Sequence, residues 1–257
     1  MSRSRARSLL SGTLPALLLA ACAHAPADEA ADPLEPVNRA MYRLNMTLDR
    51  YVARPVARGY DKAVPAPARR GVSNFFSNLF YPTVIVNDAL QGKFLQCTRD
   101  TGRLLMNTAL GLGGIFDPAS RAGLELNDED FGQTLGAWGF GEGIYLMLPF
   151  FGPSDGRDVI GRVADQYSDP LTYVDNSEVR YGATGLDIVN KRAQLLSADR
   201  LLNQQLDPYV FVRTAYLERR QSLIYDGNPP PEDYGFDDED TDAAAPAAPP
   251  PTGPKKK

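Results

Sequence analysis

Histidine is almost missing from this chain: His24 is the one copy in 257 residues. That scarcity argues against serine- or cysteine-based hydrolysis, whose nucleophile relies on a neighbouring imidazole. It also weakens any zinc site. Cysteine is as scarce, with Cys22 and Cys97 alone. Nothing beyond Cys22 approaches the roughly 20 consecutive apolar residues of a spanning helix. No strict apolar–polar alternation is long enough for a sheet, and Val84-Ile85-Val86 is β-prone but short. The phosphate loop G-x-x-x-x-G-K-[ST] does not occur, so the chain has no means of harnessing a nucleotide. Basic residues are outnumbered, 27 Lys and Arg against 32 Asp and Glu, which argues against nucleic acid as a partner.

What is present begins at the front. "MSRSRARSLLSGTLPALLLAACAH" has a basic start (Arg3, Arg5, Arg7), a short apolar stretch from Leu9 to Ala21, and small residues before Cys22. This is a secretory signal rather than a span. Leu19-Ala20-Ala21-Cys22 matches the bacterial lipobox, in which the cysteine becomes the lipidated N-terminus. The expected lipid anchor is therefore Cys22, carrying a diacylglycerol thioether and an N-acyl chain. Each buried methylene contributes about 0.8 kcal/mol, and more than one chain makes a stable anchor. Ala23 rather than Asp follows, which by resemblance to sorted lipoproteins favours the outer membrane over the inner one. With Cys22 acylated, Cys97 has no partner for an intrachain disulfide. Cleavage removes three arginines and no acid, moving the net charge from −5 to −8.

Residues 1–21 thus read as signal peptide and 22–33 as a flexible lipidated tether. Residues 34–225 have globular composition. Residues 226–257, acidic and rich in Pro and Ala, have too few aliphatic residues to fold and read as a disordered tail.

The periodicity between the ends is helical. Val37, Met41, Leu44, Leu48 and Val52 share one helical face. Pro55, Pro65 and Pro67 are expected to break the chain, and "ARRGVSNFFSNLFYP" to end as a helix before Pro82. A short helix is expected over Asp128 to Trp138, with acids in its first turn. Ser154 is expected to cap another that runs to about Gln166. Gly152-Pro153-Ser154-Asp155-Gly156 also fits the G-x-S-x-G nucleophile elbow. That elbow needs a histidine base, and His24 sits in the tether. Gly111-Leu112-Gly113-Gly114 reads as a helix end and loop.

The blocks "DPLEPVNRAMYRLN", "GVSNFFSNL", "VNDALQG", "LLMNTALGLGGIFDPA", "EDFGQTLGAWG", "GIYLMLPFFGPSDGRD" and "LDPY" occur in order between about Asp32 and Tyr225. In this the chain resembles the MlaA (VacJ) family of outer-membrane phospholipid-binding lipoproteins. The long tail departs from the shared core. The resemblance implies an all-α fold: a single ring-like helical domain in the periplasmic leaflet of the outer membrane. An amphipathic channel would take phospholipids strayed into the outer leaflet towards a periplasmic lipid carrier (MlaC-like). A porin trimer would be the outer-membrane partner. Phospholipid is then the transported ligand, and no cofactor is implied. A structural lipoprotein tethering a porin or envelope polymer, and more remotely a Ser154-dependent acyl hydrolase, are the alternatives.

Candidate residues follow. "GIYLMLPFF" is too apolar for water and too short to span, so Ile144, Tyr145, Leu146, Met147, Phe150 and Phe151 are candidate lipid contacts, with plain core as the alternative. Phe75 and Phe76 pose the same choice, because successive aromatics cannot all face one way on a helix. Trp138 is a candidate for the headgroup level. Asn45, Asn74, Asn78, Asn87 and Asn107 are candidate polar positions of a channel, or else caps and helix–helix hydrogen bonds.

Overall fold

The computed structural model describes residues 32–230. The expected anchor Cys22, the expected tether up to residue 31 and the expected tail from residue 231 lie outside the described residues. What is described is mostly helical, with one small hairpin. No described helix is long and apolar enough to cross a membrane.

The chain enters helix α1, Glu35–Leu48, with Pro36 in its first turn, where a missing N–H costs nothing. It continues without a break through a π-helical turn, Asp49–Ala53, into α2, Arg54–Ala63. Pro55 therefore does not end the helix. A proline ring clashes with the carbonyl one turn back, and the wider π turn directly before it relieves that clash. Pro65 does interrupt: it is extended (ψ 145°) and precedes α3.

Helix α3 runs from Ala66 to Leu90, straight through Pro82, so the expected stop there is corrected. An interior proline costs about 3 kcal/mol. Here Phe76, Tyr81, Val84, Asn87 and Asp88 are buried on either side of it, and packing holds the helix together. After a left-handed turn at Gly92 (φ 75°), α4 (Phe94–Ala109) packs back along α3. The Gly111–Gly114 stretch is a turn, with Leu112, Gly113 and Gly114 all at positive φ. A one-turn helix α5 (Pro118–Arg121) follows.

Helix α6 is shorter than expected, Phe131–Ala137. Asp128, Glu129 and Asp130 precede it, and Asp130 caps it through the Gln133 N–H. The apolar stretch then forms a hairpin, β1 Tyr145–Leu148 against β2 Gly152–Asp155, in register from Tyr145↔Asp155 to Leu148↔Gly152. Ser154 lies inside β2, and its neighbour Asp155 is the actual cap of α7, Gly156–Asp165. Helix α8 (Ser177–Gln194), the short α9 (Asp199–Asn203) and α10 (Pro208–Ile224) complete the chain.

Neighbouring elements close into a circuit. The α1–α2 helix packs on α8, α8 on α3, α3 on α6, α6 on α10, α10 on β2, and β1 back on α1. Among the described residues the cluster of buried apolar side chains is small: Tyr145, Met147 and Tyr209, with Met41, Tyr42, Val212, Tyr216 and Leu217 against them. Asp32 accepts from Asn38 and from the Tyr209 hydroxyl, and Asp226 pairs with Lys93 at 2.5 Å.

Candidate functional site: an apolar exterior over a polar interior

The largest of the fully enclosed side chains are polar: Gln133, Asn38, Asn87, Asn190, Thr134, Asp88, Asp100, Asp155 and Ser154. Large apolar residues are exposed on every major helix, among them Leu44, Val56, Phe75, Leu105, Ile160, Ile188 and Val210. A water-soluble domain arranges these the other way.

The hairpin shows how polar side chains serve this interior. The free edge of β1 would expose unpaired backbone groups. Two asparagines of α1, one above the other, occupy that edge as a substitute strand. Asn38 donates to the Tyr145 carbonyl (3.0 Å) and accepts from the Met147 N–H (2.9 Å). Asn45 donates to the Leu148 carbonyl (2.8 Å) and accepts from the Phe150 N–H (2.8 Å). This last bond holds Phe150 at φ 68°, a left-handed conformation unusual for a bulky residue. The strand alternation then divides the candidate lipid contacts. Tyr145 and Met147 are enclosed (5% and 4% exposed), whereas Phe150 and Phe151 stand out at the tip (79% and 72%). Ile144 is exposed and Leu146 half-buried. On α3, Phe75 reaches the surface and Phe76 is buried. Tyr145, Met147 and Phe76 are therefore corrected: they are core, placed inside by strand and helix periodicity.

The asparagines separate into groups. Asn74, Asn78 and Asn107 come together around a cavity of about 40 Å³, with Tyr81, Arg103 and Asp117. Asn74 donates to the Ile115 carbonyl (3.2 Å) and Asn78 to the Thr108 hydroxyl (3.0 Å). Asn107 links Asp117 to the Ala119 N–H, both at 3.1 Å. Asn87 is buried elsewhere, bonded to Asp165 (3.1 Å) and Thr134 (2.8 Å). Asn45 belongs to the hairpin. All five make hydrogen bonds that fasten one element to the next.

Buried charge, which was not singled out in the sequence, is the other feature. Arg220 of α10 forks onto Asp130 (2.6 and 2.9 Å) and Asp158 (2.6 Å), joining α6, α7 and α10. Burial opposes ionisation of Asp130, but the Arg220 hydrogen bonds outweigh it and hold that carboxyl below the usual carboxylate range. Asp155 and Asp165 lack so direct a partner, and burial pushes each up to about 6. Asp88 of α3 faces Asp100 of α4, with Asn127 donating to both (3.3 and 3.1 Å) and Tyr81 donating to Asp100 (2.7 Å). Burial first, then the hydrogen bond and charge of Asp100, push Asp88 up to about 8. The sequence carried no clear signal for them: Asp158 lies in the first turn of α7, where an acid suits the helix dipole in any case, and Asp100 is flanked by Arg99 and Thr101.

Beside this pair lies an open concavity of about 660 Å³. Lys93, Gln96, Arg99, Glu125, Asn127 and Glu129 supply polar walls, and Phe94, Leu95, Leu124 and Leu126 apolar ones. Lys93 is held there by Glu129 (2.8 Å) and Asp226 (2.5 Å).

The elbow motif does not make a nucleophile. Ser154 is fully enclosed in an antiparallel strand, and its hydroxyl reaches the Asp155 carbonyl at 3.5 Å. No histidine occurs among the described residues. Trp138 is half exposed and donates from its indole N–H to the Leu90 carbonyl (3.2 Å).

Comparison with known proteins places these features. A family model described as MlaA lipoprotein matches residues 30–223. The intermembrane phospholipid transport system lipoprotein MlaA of Escherichia coli is 41% identical over 222 residues, covering 84% of this chain and 88% of that protein. Its namesake in Haemophilus influenzae is 33% identical over 232 residues, covering 87% and 92%. A solved structure that addresses the "structural basis for maintenance of bacterial outer membrane lipid asymmetry" contains a chain 40% identical to this one. That match has a TM-score of 0.69 and covers 76% of this chain and 99% of the other.

Proposed function

This chain belongs to the MlaA lipoprotein family, and we infer from that membership, together with its inside-out polarity, that it conducts phospholipids through the outer membrane. The family is one of phospholipid-transport lipoproteins, not enzymes. In the finer reading, a ring-like body lies in the periplasmic leaflet, anchored by lipid chains on Cys22. It takes phospholipids that have strayed into the outer leaflet and passes them to a periplasmic, MlaC-like carrier. An outer-membrane porin trimer is its partner there. Outer-membrane lipid asymmetry is the result.

The single observation that carries this reading is the apolar exterior over a polar interior. Exposed Leu, Ile and Phe side chains cost free energy in water and none against acyl chains. The enclosed asparagines and ion pairs supply what hydrocarbon withholds, namely hydrogen-bond partners for buried polar groups of neighbouring elements. Asn38 and Asn45 let an irregular hairpin persist at lipid depth in this way. The concavity beside Lys93 has charged walls for a headgroup and apolar walls for acyl chains. The chain lowers the barrier to a headgroup crossing an apolar layer, and the driving force comes from elsewhere in the system.

The test pairs two measurements. Mass spectrometry of the detergent-purified protein should find retained phospholipid, uncleaved. A strain lacking the gene should accumulate surface phospholipid until the gene is restored. Porin binding with no retained lipid and unchanged surface phospholipid would favour the tethering alternative. Ester cleavage abolished by Ser154→Ala would favour the hydrolase.

A further inference from the structure

The continuous helix from Glu35 to Ala63 carries three rows of residues rather than two faces. The inward row is Asn38, Asn45, Ala53 and Ala57, all buried or half-buried. An apolar row, Val37, Leu44, Val52 and Val56, is exposed. A basic row, Arg43, Arg50, Arg58 and Lys62, is exposed as well. Each row advances by the same steps of seven, eight and four residues. At 3.6 residues per turn the rows lie roughly a third of a turn apart. The longer step falls across the π-helical turn Asp49–Ala53, which holds one residue more than an α turn. The rows therefore stay in line past the point where an uninterrupted α-helix would have rotated them apart.

The basic row forms no ion pair within the described residues, and of its four side chains Arg43 alone makes a hydrogen bond, to the Arg39 carbonyl of its own helix (3.3 Å). The arginines of this helix that form ion pairs are Arg39, with Glu35 and Asp207, and Arg54, with Asp49 and Asp199; Asp49 is also engaged by Arg192. Asp61, the nearby exposed acid, is engaged by Arg69. Among the described residues, Arg43, Arg50, Arg58 and Lys62 make no ion pair. Four unneutralised cations in a line are set on a chain whose overall charge is negative.

We propose that this helix lies along the boundary between acyl chains and headgroups, its apolar row against the chains and its basic row binding the phosphates of anionic phospholipids. The proposal rests on the membrane reading above and adds a headgroup preference to it. The two exterior rows differ in what they need, one an apolar medium and the other an anionic one. A lipid–water boundary offers both within a helix diameter. An acidic protein would satisfy the basic row and leave the valines beside it in water. Arginine and lysine stems can also lie on apolar surface while the charged head reaches the phosphates.

The test uses the full mature protein, lipid anchor included, equilibrated in mixed micelles of phosphatidylglycerol and phosphatidylcholine. The ratio of the two lipids retained is then read by mass spectrometry. Wild type should enrich phosphatidylglycerol, and less so as salt is raised. R43Q/R50Q/R58Q/K62Q should lose that enrichment by about tenfold or more, since each cation near an anionic surface contributes about fivefold. R43K/R50K/R58K, which keeps the charge, should retain it. The side chains are exposed and make no ion pair among the described residues, so thermal melting of all three proteins should agree closely. Retention of lipid without a phosphatidylglycerol preference, or a preference that survives the glutamine variant, overturns the stripe and leaves the membrane reading standing. Retention of no lipid at all overturns both. Loss of a co-purifying acidic protein in the glutamine variant, with the lipid ratio unchanged, assigns the row to a protein partner and overturns the proposal.

Discussion

Asp88 is where acidity should act most directly on this fold. Its carboxyl stays neutral in the folded chain up to about pH 8, against a reference of 3.8. Folding therefore takes up a proton between those values. The associated stability is complete below the unfolded value and is lost progressively as pH rises towards about 8. One buried oxygen of Asp88 has no donor among the described residues, and the retained proton lets it donate to Asp100 instead. Asp88→Asn keeps a neutral side chain with an N–H in that position. Its melting temperature should fall less than that of wild type between about pH 5 and about pH 8, measured side by side in one detergent. Parallel curves would mean that Asp88 is ionised in the fold. Asn38 makes the complementary case. Asn38→Ala strips two buried hydrogen bonds from β1, and leaving such groups unpaired costs about 1–3 kcal/mol each. The type and place of Asn45 were legible in the sequence, but not its task. A hydrogen bond to another element's backbone leaves no trace in the spacing of residues, and Asn38 went unnoticed for the same reason.

At the scale of the element, the hairpin separates what a core needs from what a membrane needs. Met147→Ala removes part of the buried apolar cluster and should cost about 2–5 kcal/mol. Phe150→Ala, at the exposed tip, should change the melting temperature in detergent little. A photo-crosslinker at Phe150 or Phe151 should capture phospholipid, and one at Tyr145 should not. The opposite pattern would place the tip against protein. The contact of α6 with α7 is sharper still. A Cβ on Gly161 would sit 2.4 Å from the Gly132 nitrogen, so Gly161→Ala forces two helices apart at a cost of about 1–3 kcal/mol. Most helices were legible from period and caps, because those signals are local. The hairpin was not, since each strand is four residues long and its alternation is too short to detect. Pro55 and Pro82 misled for a tertiary reason. One is absorbed by a π turn directly before it and the other by buried packing on both sides, and no residue pattern marks either.

For the whole molecule, polarity is what composition conceals. A hydrophobic content of 43% suits a soluble protein and a membrane-embedded one equally. Helical periodicity marks an apolar face without saying whether it points to the core or away from it. Of the face read from periodicity, Val37, Leu44 and Val52 are exposed, whereas Met41 and Leu48 are half-buried and Met41 packs on the core cluster. Order of motifs identified the family where periodicity could not. The consequence is an inversion of the usual rules for substitution. On a soluble protein a surface Leu→Arg change is nearly free, within about 0.5 kcal/mol. On an exterior facing hydrocarbon it costs about 2.5–3.5 kcal/mol at mid-depth, paid on insertion rather than on folding. Leu105 of α4 is exposed, so Leu105→Arg should melt normally in detergent. In a deletion strain it should nevertheless fail to return surface phospholipid to the wild-type level. Gln133→Ala, inside, should do the reverse: melt early, by the loss of a buried hydrogen bond to the Asp128 carbonyl, and restore surface phospholipid in proportion to the folded protein that remains. A Leu105→Arg protein that restores the level in full would put water, not lipid, against that face.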